Sequence, residues 1–343
     1  MNKTKNILVT GGTGMLGSYL LRYLIHQGYT NIRATKRATS NMDLVAPVAD
    51  QIEWIEADIL DVPALEDAFQ GIQQVYHCAA LISFDPKDRK KMLTVNSEGT
   101  SNVVNAALDA NIEKLIHASS IAAIGRPKVG ATISETTKWE RSKYNSNYAI
   151  SKYLAEQEVW RGWAEGLNVG VVNPAIILGG GRWDEGPLKL FKLVWNEFPF
   201  YPAGSSGFVD VRDVARFMIQ LMESDIDGQR YLLSSQDSPI QEVMNRIATF
   251  CDKKQPWIKV TPWIQQIAWR IEWIRARLFG ASPLITRETA AHSARPFFYD
   301  NSKSQAVFDF EYLPLEETLS ATSALFQKAA IQEDFAPQVL PLV

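Results

Sequence analysis

The stretch Ile7-Leu8-Val9-Thr10-Gly11-Gly12-Thr13-Gly14-Met15-Leu16-Gly17 decides the fold, because a short apolar strand runs into a glycine-rich turn and then into a helix. In such a unit the first glycine permits the tight turn, the second admits a pyrophosphate close to the backbone, and the third lets helix pack on strand. The free amides and positive dipole end of the helix favour phosphate. The residues expected at the phosphates are Gly11, Thr13, Gly14, Met15, Leu16 and Gly17. The stretch predicts a dinucleotide site, and the flanking strand and helix disfavour the alternative of an ordinary glycine-rich turn.

The composition is that of an ordinary globular protein and disfavours several classes of function. Of the 343 residues, 46% are hydrophobic, and the net charge of −3 gives no broad attraction for nucleic acid. Two cysteines and four histidines, scattered without ligand spacing, predict neither a disulfide framework nor a metal site. The sequence shows no signal-peptide pattern and no apolar run long enough to span a membrane, so we expect a cytoplasmic protein.

Short apolar runs alternate with helix-length segments through the first two thirds of the sequence. This alternation is typical of βαβ units and predicts an α/β fold with a Rossmann-type, doubly wound parallel sheet of about seven strands. The ligand crevice of such a sheet lies at the carboxyl ends of the strands. The predicted strands are Ile7–Thr10, Ile32–Lys36, Glu53–Ala57, Gln74–Cys78, Lys114–Ala118, Val169–Asn173 and Arg230–Leu233, and the predicted helices include Met15–His26, Thr100–Ala110 and Tyr148–Glu165.

The alternation of apolar runs and helix-length segments ends after about Gly179. Residues 1–178 are expected to form the dinucleotide-binding domain, with returns to its sheet at about 207–235. Glycine- and proline-rich loops and a mostly helical sequence indicate a smaller substrate-binding lobe formed by 179–206 and 236–343. Its Trp/Ile-rich segment Trp257–Leu278 fits a wall of a hydrophobic cleft, a helix at a membrane surface, or an amphipathic helix packed on the lobe, and we prefer the last interpretation.

The end of the second predicted strand carries cations where NAD sites usually place a carboxylate for the 2′-hydroxyl of the adenosine ribose. The sequence there is Ala34-Thr35-Lys36-Arg37. Arg37 can bind a 2′-phosphate bidentately, and Lys36 adds positive charge. We therefore expect NADP(H) as the preferred cofactor. The alternative is NAD(H), with Arg37 lying over the adenine or pointing to solvent.

Tyr148 and Lys152 are four residues apart and therefore share one face of a helix. A phenol with a pKa of about 10 exchanges protons poorly at neutral pH. A lysine ammonium about 4 Å away is worth at most ~4 kcal/mol, which would lower that pKa by about three units. Ser119 and Ser120 follow the fifth predicted strand beside the crevice, where either hydroxyl could bind a substrate oxygen or merely cap a turn.

Together these motifs resemble the extended short-chain dehydrogenase/reductases, also called the NAD-dependent epimerase/dehydratase family, over roughly Ile7 to Ser235. The resemblance implies that Tyr148 donates or accepts a proton, that Ser120 (with Ser119 as its neighbouring alternative) holds the substrate oxygen, and that Lys152 lowers the phenol pKa and binds the nicotinamide ribose. It also implies cofactor contacts at Asp58, Ile59, Ala79, Ala80, Asn96, Tyr148, Lys152, Pro174, Ala175 and Ile176.

Two departures from the family's patterns narrow the reaction. Sugar dehydratases have Thr-Asp-Glu where this sequence has Ser120-Ile121-Ala122, so dehydration is disfavoured. Sugar-nucleotide epimerases carry an arginine for the diphosphate where this sequence has Ser206-Gly207, although Arg287 and Arg295 lie farther along. The sequence most resembles the branch of dihydroflavonol-reductase-like and hopanoid-associated sugar epimerase-like proteins.

We therefore expect an NAD(P)-dependent oxidoreductase that reduces a carbonyl or oxidises an alcohol on a small, partly apolar substrate by hydride transfer. The alternatives are an NAD-dependent nucleotide-sugar epimerase and a non-catalytic regulatory protein that binds the dinucleotide. The resemblance also implies a homodimer that pairs through two helices. The apolar residues at helical spacing on those helices are Val103, Val104, Ala107, Leu154, Val159 and Trp160.

Overall fold

The computed structural model describes residues 3–126, 131–142, 145–261, 263–264 and 296–343. The strands in these residues are β1 (Ile7–Thr10), β2 (Ile32–Lys36), β3 (Glu53–Glu56), β4 (Gln74–His77), β5 (Lys114–Ala118), β6 (Thr132–Ile133), β7 (Val169–Pro174), β8 (Ile176–Leu178), β9 (Phe200–Tyr201), β10 (Ser205–Asp210), β11 (Gln229–Leu233), β12 (Gln236–Pro239), β13 (Ile258–Lys259) and β14 (Phe298–Tyr299). The helices are α1 (Met15–His26), α2 (Val62–Phe69), α3 (Arg89–Leu93), α4 (Gly99–Asp109), α5 (Asn147–Ala164), α6 (Lys189–Trp195), α7 (Val211–Glu223), α8 (Ile240–Phe250), α9 (Ser302–Phe308) and α10 (Leu315–Ile331).

Seven parallel strands form the central sheet, in the order β11-β7-β5-β4-β1-β2-β3. The chain winds first to one side of β1 and then to the other, which confirms the predicted Rossmann-type doubly wound sheet. The observed bounds of these strands differ from the predicted ones by at most one residue. The agreement has a simple cause: β1, β4, β5 and β7 are buried along their whole length, so each has consecutive apolar residues at its centre and lacks the polar alternation of a half-exposed strand.

Helices cover both faces of this sheet. α1 and α7 pack on one face, in a core that includes Phe217, and α2, α4 and α5 pack on the other, in a core that includes Val104. The reversal of strand order between β1 and β4 opens a crevice at their carboxyl ends, where Thr10 and His77 lie side by side. In sheets of this type ligands bind in that crevice.

A second group of elements, largely helical, lies outside the central sheet. β8, β10 and β12 form a small sheet, and α6, α8 and α10 pack together beside it. Their core contains Trp183, Phe191 and Phe326, and the Trp183 and Phe326 rings meet edge to face at 5.0 Å. This group corresponds to the smaller helical lobe in the predicted fold class. It also contains β10, although we expected the chain to return to the central sheet from about residue 207, and only β11 does so.

The C-terminal tail returns to α1 and joins the two groups of elements. The Tyr19 hydroxyl accepts hydrogen bonds from the amides of Leu340, at 2.6 Å, and Gly180, at 3.2 Å. Tyr23 accepts another from the amide of Val343 at 3.2 Å. One tyrosine therefore holds the end of the chain and the loop that follows β8 against the first helix of the dinucleotide fold.

Part of the predicted C-terminal lobe lies outside the described residues. This applies to most of the Trp/Ile-rich segment and to both candidate arginines, Arg287 and Arg295. Trp257 and Trp263 are described, and they are 63% and 73% exposed. Whether that segment is a packed helix, a cleft wall or a membrane-surface helix stays a prediction.

The structure corrects the apolar residues that we expected at a dimer interface. Val103, Val104 and Ala107 on α4 and Val159 on α5 are completely buried in the chain's own core. They fill the space between these two helices and the sheet, so they are not available to a partner. On the outer surface of α5, Leu154 remains 39% exposed.

Candidate active site

The glycine-rich turn between β1 and α1 is shaped to receive phosphate. Gly11 has φ = +72°, and a Cβ on it would lie 2.6 Å from the amide nitrogen of Ala79. A Cβ on Gly17 would lie 2.3 Å from the carbonyl oxygen of Gly11. Gly14 is the N-cap of α1 and provides no side-chain hydrogen bond, so the first amides of the helix, which have no intrahelical partner, are not capped by a side chain either. These uncapped amides and the absence of side chains in the turn fit the pyrophosphate of a dinucleotide.

The residues predicted at the adenosine end lie after β2 and β3. Arg37 is exposed, and within the described chain no hydrogen bond or ion pair engages its guanidinium. Asp58 accepts a hydrogen bond from the amide of Leu60 at 2.9 Å, which shapes the turn after β3. Ile59 is buried against Gly99 at the start of α4. Arg37 is therefore free to bind an anion.

Asn96 fixes the stretch that follows β4, where Ala79 and Ala80 are expected beneath the cofactor. It lies in a π-helical turn, Thr94–Glu98, just before α4, and it is 1% exposed. Its side-chain amide pairs with both backbone groups of Leu81, accepting at 2.7 Å and donating at 2.9 Å, and it also donates to the Ser151 hydroxyl at 2.9 Å. The side-chain NH2 group and the side-chain oxygen of Asn96 are therefore both hydrogen-bonded within the chain. Direct contact between Asn96 and the cofactor stays a prediction.

Ser120, Tyr148 and Lys152 come together at the carboxyl end of β5. A hydrogen bond joins the Ser120 hydroxyl to the Tyr148 phenol. Lys152, one turn farther along α5, is 2% exposed and donates to the carbonyl oxygen of Ala118 at 2.9 Å. The edge of the Phe84 ring faces the Tyr148 ring at a centroid distance of 5.7 Å. The structure therefore places one hydroxyl, one phenol and one amine at the crevice, with an aromatic ring beside them.

The two adjacent serines point in different directions. Ser119 donates a hydrogen bond of 2.6 Å to the buried carboxylate of Glu156, so its hydroxyl is occupied inside the protein. Ser120 instead bonds Tyr148 and also accepts from the amide of Ala122 at 3.1 Å. The geometry favours Ser120 over Ser119 as the residue that can bind a substrate oxygen.

Burial governs the proton affinities of this group. It lowers the pKa of Lys152 to about 8, and the negative charge of Glu156 partly opposes that change. Burial raises the pKa of Tyr148, and the hydrogen bond with Ser120 opposes the rise. The Lys152 ammonium group is directed to the carbonyl oxygen of Ala118, and its expected effect on the phenol pKa stays a prediction.

Two buried histidines lie beneath the crevice and stay neutral. His77 is held between the hydroxyls of Thr10, at 2.7 Å, and Thr100, at 3.0 Å, and its ring is 5.0 Å from that of His117. Burial, together with the smaller effect of the positive charge of Lys152, lowers the pKa of His77 to about 3. These histidines therefore remain uncharged at neutral pH and support the fold.

Glu156 is a site residue that the sequence reasoning missed. It lies one turn beyond Lys152 on α5 and is 1% exposed. Four donors from different elements bind its carboxylate: Ser119 at 2.6 Å, Asn173 at 2.8 Å, Arg230 at 3.0 Å and Trp160 at 3.2 Å. The signal that could have found it is its spacing, because a carboxylate four residues after Lys152 lies on the same helix face.

On the substrate side, small residues occupy the position where sugar-nucleotide epimerases carry an arginine. Ser206 is hydrogen-bonded to the hydroxyl of Tyr299. A Cβ on Gly207 would lie 2.9 Å from the Tyr299 ring and 3.1 Å from the Cβ of Ala175. Ala175 and its neighbours Pro174 and Ile176 join β7 to β8 at the edge of the crevice. In the described chain this corner is closely packed, and the carboxylate of Asp237 and the guanidinium of Arg126 both lie near Tyr299.

The comparisons with known proteins agree with this geometry. The sequence matches the family described as "NAD dependent epimerase/dehydratase family" over residues 7–233. The chain belongs to this family. It is 31% identical to a Synechocystis protein named "Putative dihydroflavonol 4-reductase", over 93% of this chain and 94% of the relative. It is 29% identical to sterol demethylase protein B of Methylococcus capsulatus, over 76% of this chain and 78% of the relative.

A solved structure has the same fold. UDP-glucose 4-epimerase of Thermotoga maritima, in a structure with UDP-glucose, superposes with a TM-score of 0.78, covering 95% of this chain and 99% of that one. At 20% identity this similarity shows the fold alone.

Family membership confirms the predicted class of protein. This member of the epimerase/dehydratase family is an NAD(P)-dependent oxidoreductase enzyme with a nicotinamide dinucleotide as its cofactor. In the described ranges no helix has the length and apolar character needed to cross a bilayer. The same residues contain no cluster of three side chains suited to a metal ion.

Proposed function

We propose that this enzyme is an NADP(H)-linked carbonyl reductase or alcohol dehydrogenase acting on a small, partly apolar substrate. The observation that carries the proposal is the hydrogen-bonded pair of Ser120 and Tyr148, with an apolar ring beside it and no arginine at the Ser206 position. Phe84 and its neighbour Ile82 are 38% and 58% exposed next to this pair. An apolar substrate would cover them, which favours binding.

Ser120, Tyr148 and Lys152 have different roles in such a reaction. The bound nicotinamide supplies a hydride to the carbonyl carbon, or accepts one from an alcohol. Ser120 donates a hydrogen bond to the substrate oxygen, and Tyr148 gives that oxygen a proton as negative charge develops on it. Lys152, whose amine is buried nearby, stabilises the phenolate that forms when Tyr148 gives up its proton. The reverse path oxidises the alcohol through the same atoms.

The names of the two relatives support an apolar substrate. A dihydroflavonol reductase and a protein of sterol demethylation are named for polycyclic, largely apolar molecules. A nucleotide diphosphate, by contrast, would find a serine at the Ser206 position, and the carboxylate of Asp237 beside Tyr299 offsets the positive charge of the nearby Arg126.

A parallel screen of substrates tests the function. Apolar aldehydes and ketones, incubated with NADPH, are expected to cause loss of NADPH absorbance, whereas UDP- and dTDP-sugars should bind poorly. Tyr148→Phe serves as the blank for reaction not catalysed at this site. Micromolar binding of a UDP-sugar, with inversion at C4 and no net cofactor consumption, would establish the epimerase alternative instead. Absence of turnover with every compound, despite tight dinucleotide binding, would favour the regulatory alternative.

The cofactor preference rests on Arg37. Because its guanidinium is unengaged, NADPH is expected to bind more tightly than NADH, and Arg37→Ala should remove most of that difference. A charge-assisted bidentate contact is worth about 1.5–3 kcal/mol, which is one to two orders of magnitude in affinity. Calorimetry with both dinucleotides measures the effect, and NADH is the internal control. Equal affinities in the unmutated protein would contradict an NADP preference.

We also propose a homodimer, paired through the outer surfaces of α4 and α5. Exposed Leu154 and the partly exposed Trp160 remain the apolar contributors, since the other candidates are buried in the chain. Light scattering at micromolar concentration should give twice the mass of one chain, and a monomer would contradict the proposal. The cytoplasmic location likewise stays a prediction from the sequence.

A further inference from the structure

Arg182 reaches from the loop after β8 to the cofactor turn on the other side of the crevice. Its Nη2 atom donates to the carbonyl oxygen of Thr13, inside the glycine-rich turn, at 3.1 Å. The same atom donates to the carbonyl oxygen of Asn41, four residues beyond Arg37, at 2.9 Å. One guanidinium thus bridges the phosphate turn and the loop expected at the adenosine ribose.

The remaining donors of this guanidinium are poorly satisfied by the protein. Nε is buried and has no hydrogen-bond partner in the ranges that the structure describes. Nη1 has as its ion-pair partner Glu185, at 3.9 Å, whose side chain is 68% exposed. The Arg182 side chain itself is only 18% exposed. A buried cationic donor without an acceptor is unfavourable, so an anion bound here would be stabilised by it.

The position of Arg182 is held by the surrounding packing. The amide of Gly180 bonds the Tyr19 hydroxyl at 3.2 Å, and a Cβ on Gly181 would lie 3.5 Å from the Met15 side chain. Met15 is the first residue of α1. The loop is therefore seated on the amino end of the helix that receives the phosphates, and a positive charge carried by it adds to the helix dipole.

We propose that Arg182 is a second anion-binding residue for the ribose phosphate of NADP(H), acting together with Arg37. This inference rests on the proposed preference for NADP(H). Arg182 lies in the predicted substrate-binding lobe, so a residue of that lobe would contribute to the preference for NADP(H) over NAD(H). Arg182 already bonds Thr13 and Asn41 across the crevice. A phosphate bound to Arg182 would therefore add a further contact between the loop after β8 and the dinucleotide-binding domain.

The test compares Arg182→Gln with a matched control. Arg22 on α1 likewise donates to a backbone carbonyl of the same loop, that of Leu44, at 3.0 Å, and has a buried Nε without a partner in the described chain. It lies seven residues into the helix, about 10 Å from its amino end. Arg22→Gln therefore removes a similar loop contact far from the phosphates.

Calorimetry with NADPH, NADH and 2′,5′-ADP gives the readout without requiring activity. Arg182→Gln is expected to weaken NADPH and 2′,5′-ADP binding by one to two orders of magnitude while NADH binding changes little. Arg22→Gln should leave the ratio of NADPH to NADH affinity unchanged. An unchanged ratio in Arg182→Gln, whether both affinities fall together or neither falls, would show a merely structural contact and overturn the inference. If the unmutated protein binds both dinucleotides equally, the NADP preference fails first and this inference fails with it.

Discussion

Replacing Tyr148 with phenylalanine is expected to lower turnover by about 10²–10⁴-fold, because it removes the group that exchanges a proton with the substrate oxygen. The ring and its contact with Phe84 remain, so the shape of the site is preserved. The Ser120 hydroxyl loses its partner but stays at the crevice, where it still accepts from Ala122. Dinucleotide binding should therefore stay close to that of the unmutated enzyme. Steady-state kinetics on a substrate found in the screen, together with calorimetry of the cofactor, measures both quantities.

Tyr153 provides the matched control for this substitution. It lies on the same helix and stacks on Trp139 at a ring distance of 4.3 Å. Tyr153→Phe keeps that stacking and should leave the rate within a small factor of the unmutated value. If Tyr148→Phe retained the full rate, Tyr148 would not be the acid. If instead both variants lost activity equally, the loss would reflect helix α5 in general.

Replacing Glu156 with alanine is expected to lower the free energy of unfolding by about 3–5 kcal/mol, because it leaves a buried arrangement of donors without its acceptor. The carboxylate joins α5 to β5, β7 and β11 through Ser119, Asn173 and Arg230. Arg230 is 24% exposed and can recover some hydration, so the lower end of that range is expected. Urea denaturation of the whole enzyme followed by circular dichroism gives the value.

Glu158 is the control for the loss of a carboxylate from the same helix. It pairs with Arg161 at 2.9 Å, and both side chains are about one third exposed. Because partly exposed ion pairs contribute little, Glu158→Ala should change the free energy of unfolding by less than about 1 kcal/mol. Equal losses in the two variants would mean that the buried bonds of Glu156 add nothing beyond the contribution of a partly exposed carboxylate on the same helix. A loss near zero for Glu156→Ala would contradict its role as the centre of this network.

The sequence by itself determined the central sheet. Its inner strands β1, β4 and β5 are buried on both faces, so consecutive apolar residues mark them without tertiary information. The glycine-rich turn can also be recognised locally. A side chain at Gly17 would clash with the turn itself, and a side chain at Gly11 would clash with the residues that follow β4. Tyr148 and Lys152 are also local, since helical spacing alone places them on one face. For these features the information lies within a few consecutive residues.

The tertiary structure decided what depends on contacts between distant segments. The choice of Ser120 over Ser119 depends on Glu156, which is 37 residues from Ser119. The apolar spacing on α4 and α5 could not say whether Val103 and Val159 face a partner or the chain's own sheet, because both surfaces bury the same side chains. Arg182 lies 169 residues from Thr13, and no local pattern marks it. A helix period shows which face of a helix is apolar, but only the packed chain shows what that face meets.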